Sequence, residues 1–240
     1  MNRTKAYSNQ EFLNSKNARA LRILAEYLEP KSRFEEHHIE DTIVFFGSAR
    51  FKEGNRWYEA SRQLAFRLTE WSKALPTDSR RFVVCTGGGP GIMEAANRGA
   101  SEAKGKSVGL GISIPIEQTD NPYLTRELGF HFHYFFMRKF WFAYLAKAVI
   151  VFPGGFGTLD ELMEVVTLVQ TKKMKKPMPI VLFGNDYWNE VINFNALVRH
   201  GTIDAEDIQI MHRTDSVDEA FGWVVGRLNE HALGKPGAML

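Results

Sequence analysis

The feature that most constrains this chain is a set of short apolar runs without polar alternation, several of them ending in glycine. Thr42–Phe46 (TIVFF) meets Gly47-Ser48, Arg81–Cys85 (RFVVC) leads into Thr86-Gly87-Gly88-Gly89-Pro90-Gly91, and Ala148–Phe152 (AVIVF) meets Pro153-Gly154-Gly155-Phe156-Gly157. Ser107–Ile112, Pro179–Phe183 and Ile208–His212 are further strand-like runs. A strand that alternates shows one face to water; a strand that does not is buried on both faces. Between the runs lie segments with helical periodicity: Trp57–Trp71, Ile92–Lys104, Met137–Ala146, Thr158 to about Lys172, Trp188–Arg199 and Val217–Leu228. Strand, turn and helix in repetition predict a doubly wound, Rossmann-like α/β fold, a parallel sheet flanked by helices. A polar loop with Pro115 and Pro122 interrupts the repetition.

The first forty residues read differently. Leu21, Leu24, Ala25 and Leu28 recur at helical spacing before Pro30, which is expected to stop the helix. The reading is a helical extension over residues 1–40, laid on the main domain or on a partner subunit, followed by one Rossmann-like domain over 41–240. No internal repeat or low-complexity stretch is visible.

Charge narrows the partners. With 30 Lys+Arg against 28 Asp+Glu the net charge is +2, so nothing electrostatic argues for nucleic acid or an anionic membrane surface. The longest apolar stretch, Phe140 to Phe152, is broken by Lys147 and is shorter than the roughly 20 residues a membrane helix needs. The segment MNRTKAYSNQEF has no apolar core and is not expected to be a signal peptide. The only cysteine, Cys85, cannot form an internal disulfide, so the expected setting is a reducing one, the cytoplasm.

In a doubly wound sheet ligands bind beyond the carboxyl ends of the strands, where the order reverses. Glycines there let the backbone approach an anion, and a helix N-terminus behind them offers unpaired N–H groups. Gly154, Gly155 and Gly157 with Thr158 have this chemistry, as do Gly87, Gly88, Gly89 and Gly91 with Met93 and Glu94; Gly47 and Ser48 form a third loop. Two such loops on neighbouring strands would cradle a sugar phosphate. No P-loop sequence occurs, neither loop reads G-x-G-x-x-G, and no acid ends the Ser107–Ile112 strand, which disfavours NTPases and dinucleotide oxidoreductases.

Cys85-Thr86-Gly87-Gly88-Gly89-Pro90-Gly91-Ile92-Met93-Glu94-Ala95 and Pro153-Gly154-Gly155-Phe156-Gly157-Thr158-Leu159-Asp160-Glu161 resemble the LOG ("Lonely guy") family of cytokinin riboside 5′-monophosphate phosphoribohydrolases, often labelled lysine decarboxylases. Pro153 to Glu161 meets the family's P-G-G-x-G-T-x-x-E motif in full, and Arg138-Lys139 matches its upstream arginine-lysine pair. Tyr134-Phe135-Phe136-Met137 stands where the plant enzymes carry a histidine and a glutamate, so the longer bacterial branch fits better. The resemblance spans Asp41 to Leu228.

It implies hydrolysis of a purine nucleoside 5′-monophosphate, AMP or an N6-modified AMP such as isopentenyl-AMP, to free base and ribose 5-phosphate. Arg138 and Glu161 would be catalytic, and the glycine loop with Thr158, assisted by Lys139, would hold the phosphate. The resemblance further implies a homodimer or higher homo-oligomer, and neither metal nor organic cofactor. A non-catalytic nucleotide or molybdenum-cofactor carrier of the same fold is the alternative. The decarboxylase label would need a pyridoxal phosphate lysine, and neither Lys139 nor Lys147 sits in a supporting pattern.

The residues themselves leave some roles open. Glu161, expected on the first turn of its helix, could stabilise an oxocarbenium-like transition state, or close a T-x-x-E capping box with Thr158. Asp160 reads as a solvated first-turn acid. Arg138 could grip the phosphate or polarise the leaving base. Glu94 is a candidate ribose or base contact. His131 and His133 share one side of an extended segment without an evident third metal ligand, and Cys85 reads as core.

Overall fold

The computed structural model describes residues 4–112 and 121–238; Pro115 of the expected polar loop lies outside them. The elements are α1 (Gln10–Asn14), α2 (Arg19–Glu36), β1 (Thr42–Phe46), α3 (Arg56–Lys73), β2 (Val83–Thr86), α4 (Ile92–Glu102), β3 (Ser107–Ile112), β4 (Gly129–Phe132), α5 (Phe135–Leu145), β5 (Ala146–Val151), α6 (Phe156–Gln170), β6 (Ile180–Phe183), α7 (Asn185–Val191), α8 (Phe194–Arg199), β7 (Met211–Thr214) and α9 (Val217–His231). The strands form one sheet in the order β4-β3-β2-β1-β5-β6-β7, and every neighbouring pair is parallel.

The missing alternation has its cause here. Val44 and Phe46 of β1 enter a core with Trp141 and Phe142 of α5 and Leu162 of α6. Ile43 and Phe45 enter a second core with Leu64 and Leu68 of α3 and Val224 of α9. Successive side chains point to opposite faces, and both faces are covered, so the strands are apolar apart from a few buried polar residues such as Thr42 and Lys147.

The order reverses between β1 and β5, and the loops leaving these two strands are tied together there. Phe152 N–H donates to the Phe46 carbonyl (2.8 Å), and Ser48 N–H donates to the Pro153 carbonyl (2.9 Å). Ile92 N–H, opening α4, donates to the Ser48 carbonyl (3.0 Å). This last contact requires Gly91, whose backbone is left-handed (φ +72°) and where a Cβ would stand 2.3 Å from the Ser48 oxygen.

Several elements differ from the sequence reading. The segment Gly129–Phe132 pairs as the sheet's edge strand. The segment 188–199 is two helices, split at Asn193, whose side chain caps α8 by accepting from Ala196 N–H. The strand expected over 208–212 begins only at Met211, because Ala205–Ile210 is a 3₁₀ turn held by an Asp204–Asp207 capping box. The helix expected from Thr158 begins two residues earlier, at Phe156.

Pro30 does not stop α2, which continues six residues further, to Glu36. A proline inside a helix has no N–H for the carbonyl four residues back, here Glu26. That orphan carbonyl accepts from the indole N–H of Trp141 (2.9 Å), and the Glu26 carboxylate accepts from the backbone N–H groups of His133 and Tyr134. Tyr27 also stacks on Trp141, and Arg33 donates to the carbonyls of Glu127 and Gly129. The N-terminal helix is thus laid on the β4–α5 side of its own chain. Trp141→Phe keeps most of the ring burial but strands the Glu26 carbonyl, and it should cost about 1–3 kcal/mol. Urea unfolding measures this; an unchanged midpoint would show that the carbonyl does not need the indole.

Candidate functional site

A cavity of about 790 Å³ opens at the carboxyl ends of β1, β2 and β5, where the strand order reverses. Phe46, Phe51, Met93, Phe135, Phe156 and Tyr187 supply its apolar lining, and Ser48, Arg50, Arg138, Thr158 and Glu161 its polar side chains.

The loop after β5 is built for an anion. Gly155 is the N-cap of α6, no side chain caps the helix, and no acid stands in its first turn. The first intrahelical bond runs from Leu159 N–H to the Gly155 carbonyl, so the N–H groups of Phe156, Gly157 and Thr158 are free of it. A Cβ at Gly155 or Gly157 would meet nothing within 4 Å, whereas at Gly154 it would stand 2.1 Å from Thr158 Oγ1. The first two glycines leave the N-terminus open, and the third lets Thr158 fold against the loop. Tyr187, carried by α7, donates its hydroxyl to the Gly154 carbonyl and so takes up an acceptor that would repel an anion.

These boundaries decide what Glu161 is. Thr158 is the third helical residue and Glu161 the sixth, so the capping box left open as the alternative for T-x-x-E does not form. Glu161 and Asp160 both stand beyond the first turn. One helical turn below the open N–H groups, Glu161 Oε1 lies 3.8 Å from Arg138 Nη1, with the two side chains only 6% and 14% exposed. At that distance they are an ion pair without a hydrogen bond, and Glu161 Oε1 is buried with no hydrogen-bond partner. Burial raises the carboxyl pKa to about 7, against the opposing pull of Arg138 and Lys139. Burial also lowers the Arg138 pKa, opposed by Glu161. Arg138 Nε donates to the Leu110 carbonyl (2.8 Å) at the end of β3, and its guanidinium lies 5.1 Å from the Phe142 ring centre.

The second glycine run enters the cavity only through its first member. A Cβ at Gly87 would stand 2.8 Å from Arg138 Nη2 and 2.9 Å from Met93 Sδ, so this glycine lets both side chains close over it. Gly88 uses its N–H on Thr86 Oγ1, and Gly89 packs under Met93. Gly91 and Gly47 serve packing: a Cβ on Gly47 would strike Ile92. Since the first N–H of α4 goes to Ser48, the expected two-loop cradle reduces to one open helix N-terminus and one packed one. Glu94 accepts from the Tyr58 hydroxyl (2.9 Å) and does not line the cavity. Lys139 is bridged to Asp160 (2.8 Å) and Glu164 (2.7 Å), outside the cavity lining. That pairing takes in Asp160, which is exposed as expected but stands on the second turn of α6.

Lys147 is buried at the far end of β5, donating to the Lys235 carbonyl (2.9 Å). The lining contains no lysine, so the residues present do not fit a Schiff-base cofactor. Cys85 is buried, which pushes its thiol pKa up. His131 and His133 lie on the β4 side, and no group of three or more potential metal ligands occurs among the described residues. No described helix is long and apolar enough to cross a membrane. Sequence reasoning missed Arg50, Phe51, Phe135, Phe156 and Tyr187 as lining residues. The Arg50-Phe51 pair, just past Gly47-Ser48, carried a positional signal, whereas Tyr187 had none.

The family model described as "Possible lysine decarboxylase" matches residues 93–223. A cytokinin riboside 5′-monophosphate phosphoribohydrolase of Arabidopsis thaliana is 32% identical over 171 residues, 69% of each chain. Another from Oryza sativa subsp. japonica is 29% identical over 184 residues, 75% of this chain and 67% of the relative. Among solved structures, the molybdenum cofactor binding protein of Rippkaea orientalis aligns with a TM-score of 0.55 at 17% identity, over 78% of this chain and 96% of its own. A molybdenum cofactor carrier protein of Chlamydomonas reinhardtii aligns at 0.51 and 22%, over 79% and 99%. At these identities the two structures bear out the fold alone.

The raised carboxyl pKa has a consequence for stability. Glu161 titrates near 4.5 when unfolded and near 7 when folded, so folding takes up a proton between those values. Its contribution is full below pH 4.5 and lost as the pH rises through 7. Glu161→Gln should therefore flatten the decline in unfolding free energy across this interval, as read from denaturant melts at half-unit pH steps. Parallel curves for the two proteins would contradict the assignment.

Proposed function

The chain belongs to the LOG family, whose family model is the one described above as possible lysine decarboxylase, and we propose that it hydrolyses the N-glycosidic bond of a purine nucleoside 5′-monophosphate. The products are the free base and ribose 5-phosphate, and the substrate is AMP or an N6-modified AMP. One observation carries this reading: a buried carboxylate, faced by an arginine and short of a hydrogen-bond partner, stands one turn below an open helix N-terminus in the same cavity. A carrier needs the N-terminus and the glycines, but it has no need of the buried acid.

The chemistry follows from the distances. A 5′-phosphate on the N–H groups of Phe156, Gly157 and Thr158 puts the ribose over the next turn, where Glu161 sits. As the bond between C1′ and the base nitrogen lengthens, positive charge develops on C1′ and the ring oxygen, and ionised Glu161 stabilises it. The bond's electron pair leaves with the base, which takes up a proton from solvent. A water oxygen bonds to C1′, and its proton passes to Glu161 Oε1 and on to solvent. Arg138 opposes the burial that would neutralise the carboxylate, and its Nη groups remain available to ligand. Phe46, Phe51 and Phe135 offer flat apolar surface to the base.

The protein is further proposed to work as a homodimer or higher assembly. Phe135 and Phe156 of the cavity lining are exposed, Phe156 by 93%, as is the next residue Phe136, which supports a covering copy. Light scattering on the purified chain tests this, and a monomer at micromolar concentration would refute it.

The enzymatic test is release of ribose 5-phosphate from a panel of 5′-monophosphates including AMP and isopentenyl-AMP. Turnover is expected for purine nucleotides, and Glu161→Gln should lower kcat by at least about 100-fold. Since the carboxylate acts ionised, kcat/KM should rise with pH through about 7. Nucleotide binding without turnover would reject hydrolysis in favour of a carrier.

A further inference from the structure

We propose that Arg50, an exposed residue of this cavity's lining, selects phosphorylated ligands by adding its charge to the open α6 N-terminus. The proposal rests on the hydrolase reading only for the ligand's identity, a 5′-phosphorylated ribose.

The argument is one of charge. Arg50, Arg138 and Glu161 are the charged side chains of the lining. Arg138 and Glu161 face each other, and Arg138 also spends its Nε on Leu110. Lys139, the next cation along, is neutralised by Asp160 and Glu164. Arg50 is exposed, and among the described residues its guanidinium has no carboxylate within salt-bridge distance and no hydrogen-bond acceptor. The cavity therefore holds one uncompensated positive charge, and this residue carries it.

Its origin is held firmly although its end is free. Arg50 N–H donates to Ser48 Oγ (3.1 Å), and Ser48 is itself clamped between the Pro153 carbonyl and Ile92 N–H. Pro153 begins the glycine loop, so the arginine springs from a residue bonded to the loop that would hold the phosphate. A guanidinium presents a planar fork that matches two phosphate oxygens, and the helix N-terminus in the same cavity adds a partial positive charge. A neutral nucleoside gains nothing from either. Arg50 contacts the phosphate and stands apart from the Glu161–Arg138 pair, so its effect belongs in KM and ligand affinity, with kcat at saturation little changed.

Calorimetric titration with ribose 5-phosphate, ribose and inorganic phosphate tests this on the whole chain. Arg50→Ala should weaken ribose 5-phosphate by roughly tenfold, the loss of one charge-assisted contact. Arg50→Lys should recover part of that, and the weak binding of ribose should not move. The wild type should also lose affinity with added salt more steeply than Arg50→Ala. An exposed side chain predicts unchanged melting for all variants; should Arg50→Ala fail to fold, Arg50→Gln takes its place. Equal affinity of wild type and Arg50→Ala for ribose 5-phosphate would overturn the proposal, as would a wild type that prefers ribose. Failure of the hydrolase reading looks different: Arg50-dependent binding persists, but no nucleotide releases ribose 5-phosphate.

Discussion

Everything at the site depends on the reversal of strand order between β1 and β5. Two parallel strands whose crossovers lead away in opposite directions leave a crevice above them that no connection fills. Here Ser48 N–H and the Pro153 carbonyl bond across its floor, and Ile92 N–H bonds the Ser48 carbonyl from behind. These bonds fix the β1 loop against both α4 and the glycine loop. Gly91 is what makes the approach sterically possible.

The molecule spends two glycine-bearing helix starts in opposite ways. The α4 N-terminus is consumed inside the protein, its first N–H on Ser48 and its first-turn acid Glu94 on Tyr58. The α6 N-terminus is left without a cap, with glycines that meet nothing. An uncapped helix start typically costs about 1 kcal/mol. Below it, Glu161 and Arg138 are withdrawn from water without the hydrogen bond that would offset the desolvation. Both departures from good local chemistry fall in one cavity, the one for which a 5′-phosphorylated ribose is proposed.

Much of this was legible in the chain because it depends on local rules. Unalternating runs announced buried strands, and glycines after them announced the loops. Arg138 and Glu161 stood out through motif positions, and the structure brings them together from α5 and α6. Other features needed partners distant in sequence. Pro30 reads as a helix stop until Trp141 arrives with an N–H for the Glu26 carbonyl. T-x-x-E leaves a capping box open for Glu161 until the helix begins two residues early, which makes it a second-turn residue. Lys139 reads as a phosphate ligand until Asp160 and Glu164, one turn apart on α6, claim it. The split at Asn193 and the edge strand β4 were invisible for the same reason: a side-chain cap and a register with β3 are decided by what lies alongside.

By itself, then, the sequence determined the layered parallel fold, the family, and the loops where a ligand would meet backbone N–H groups. The fold and the loops follow from hydrophobic pattern and glycine placement, which act over a few residues, and the family from the resemblance of two motifs. The tertiary structure alone decided which helix N-terminus stays open, which of the neighbouring cations is left uncompensated, and how far Glu161 is driven toward neutrality. Those are questions of desolvation and pairing, and desolvation exists only once other parts of the chain have displaced the water.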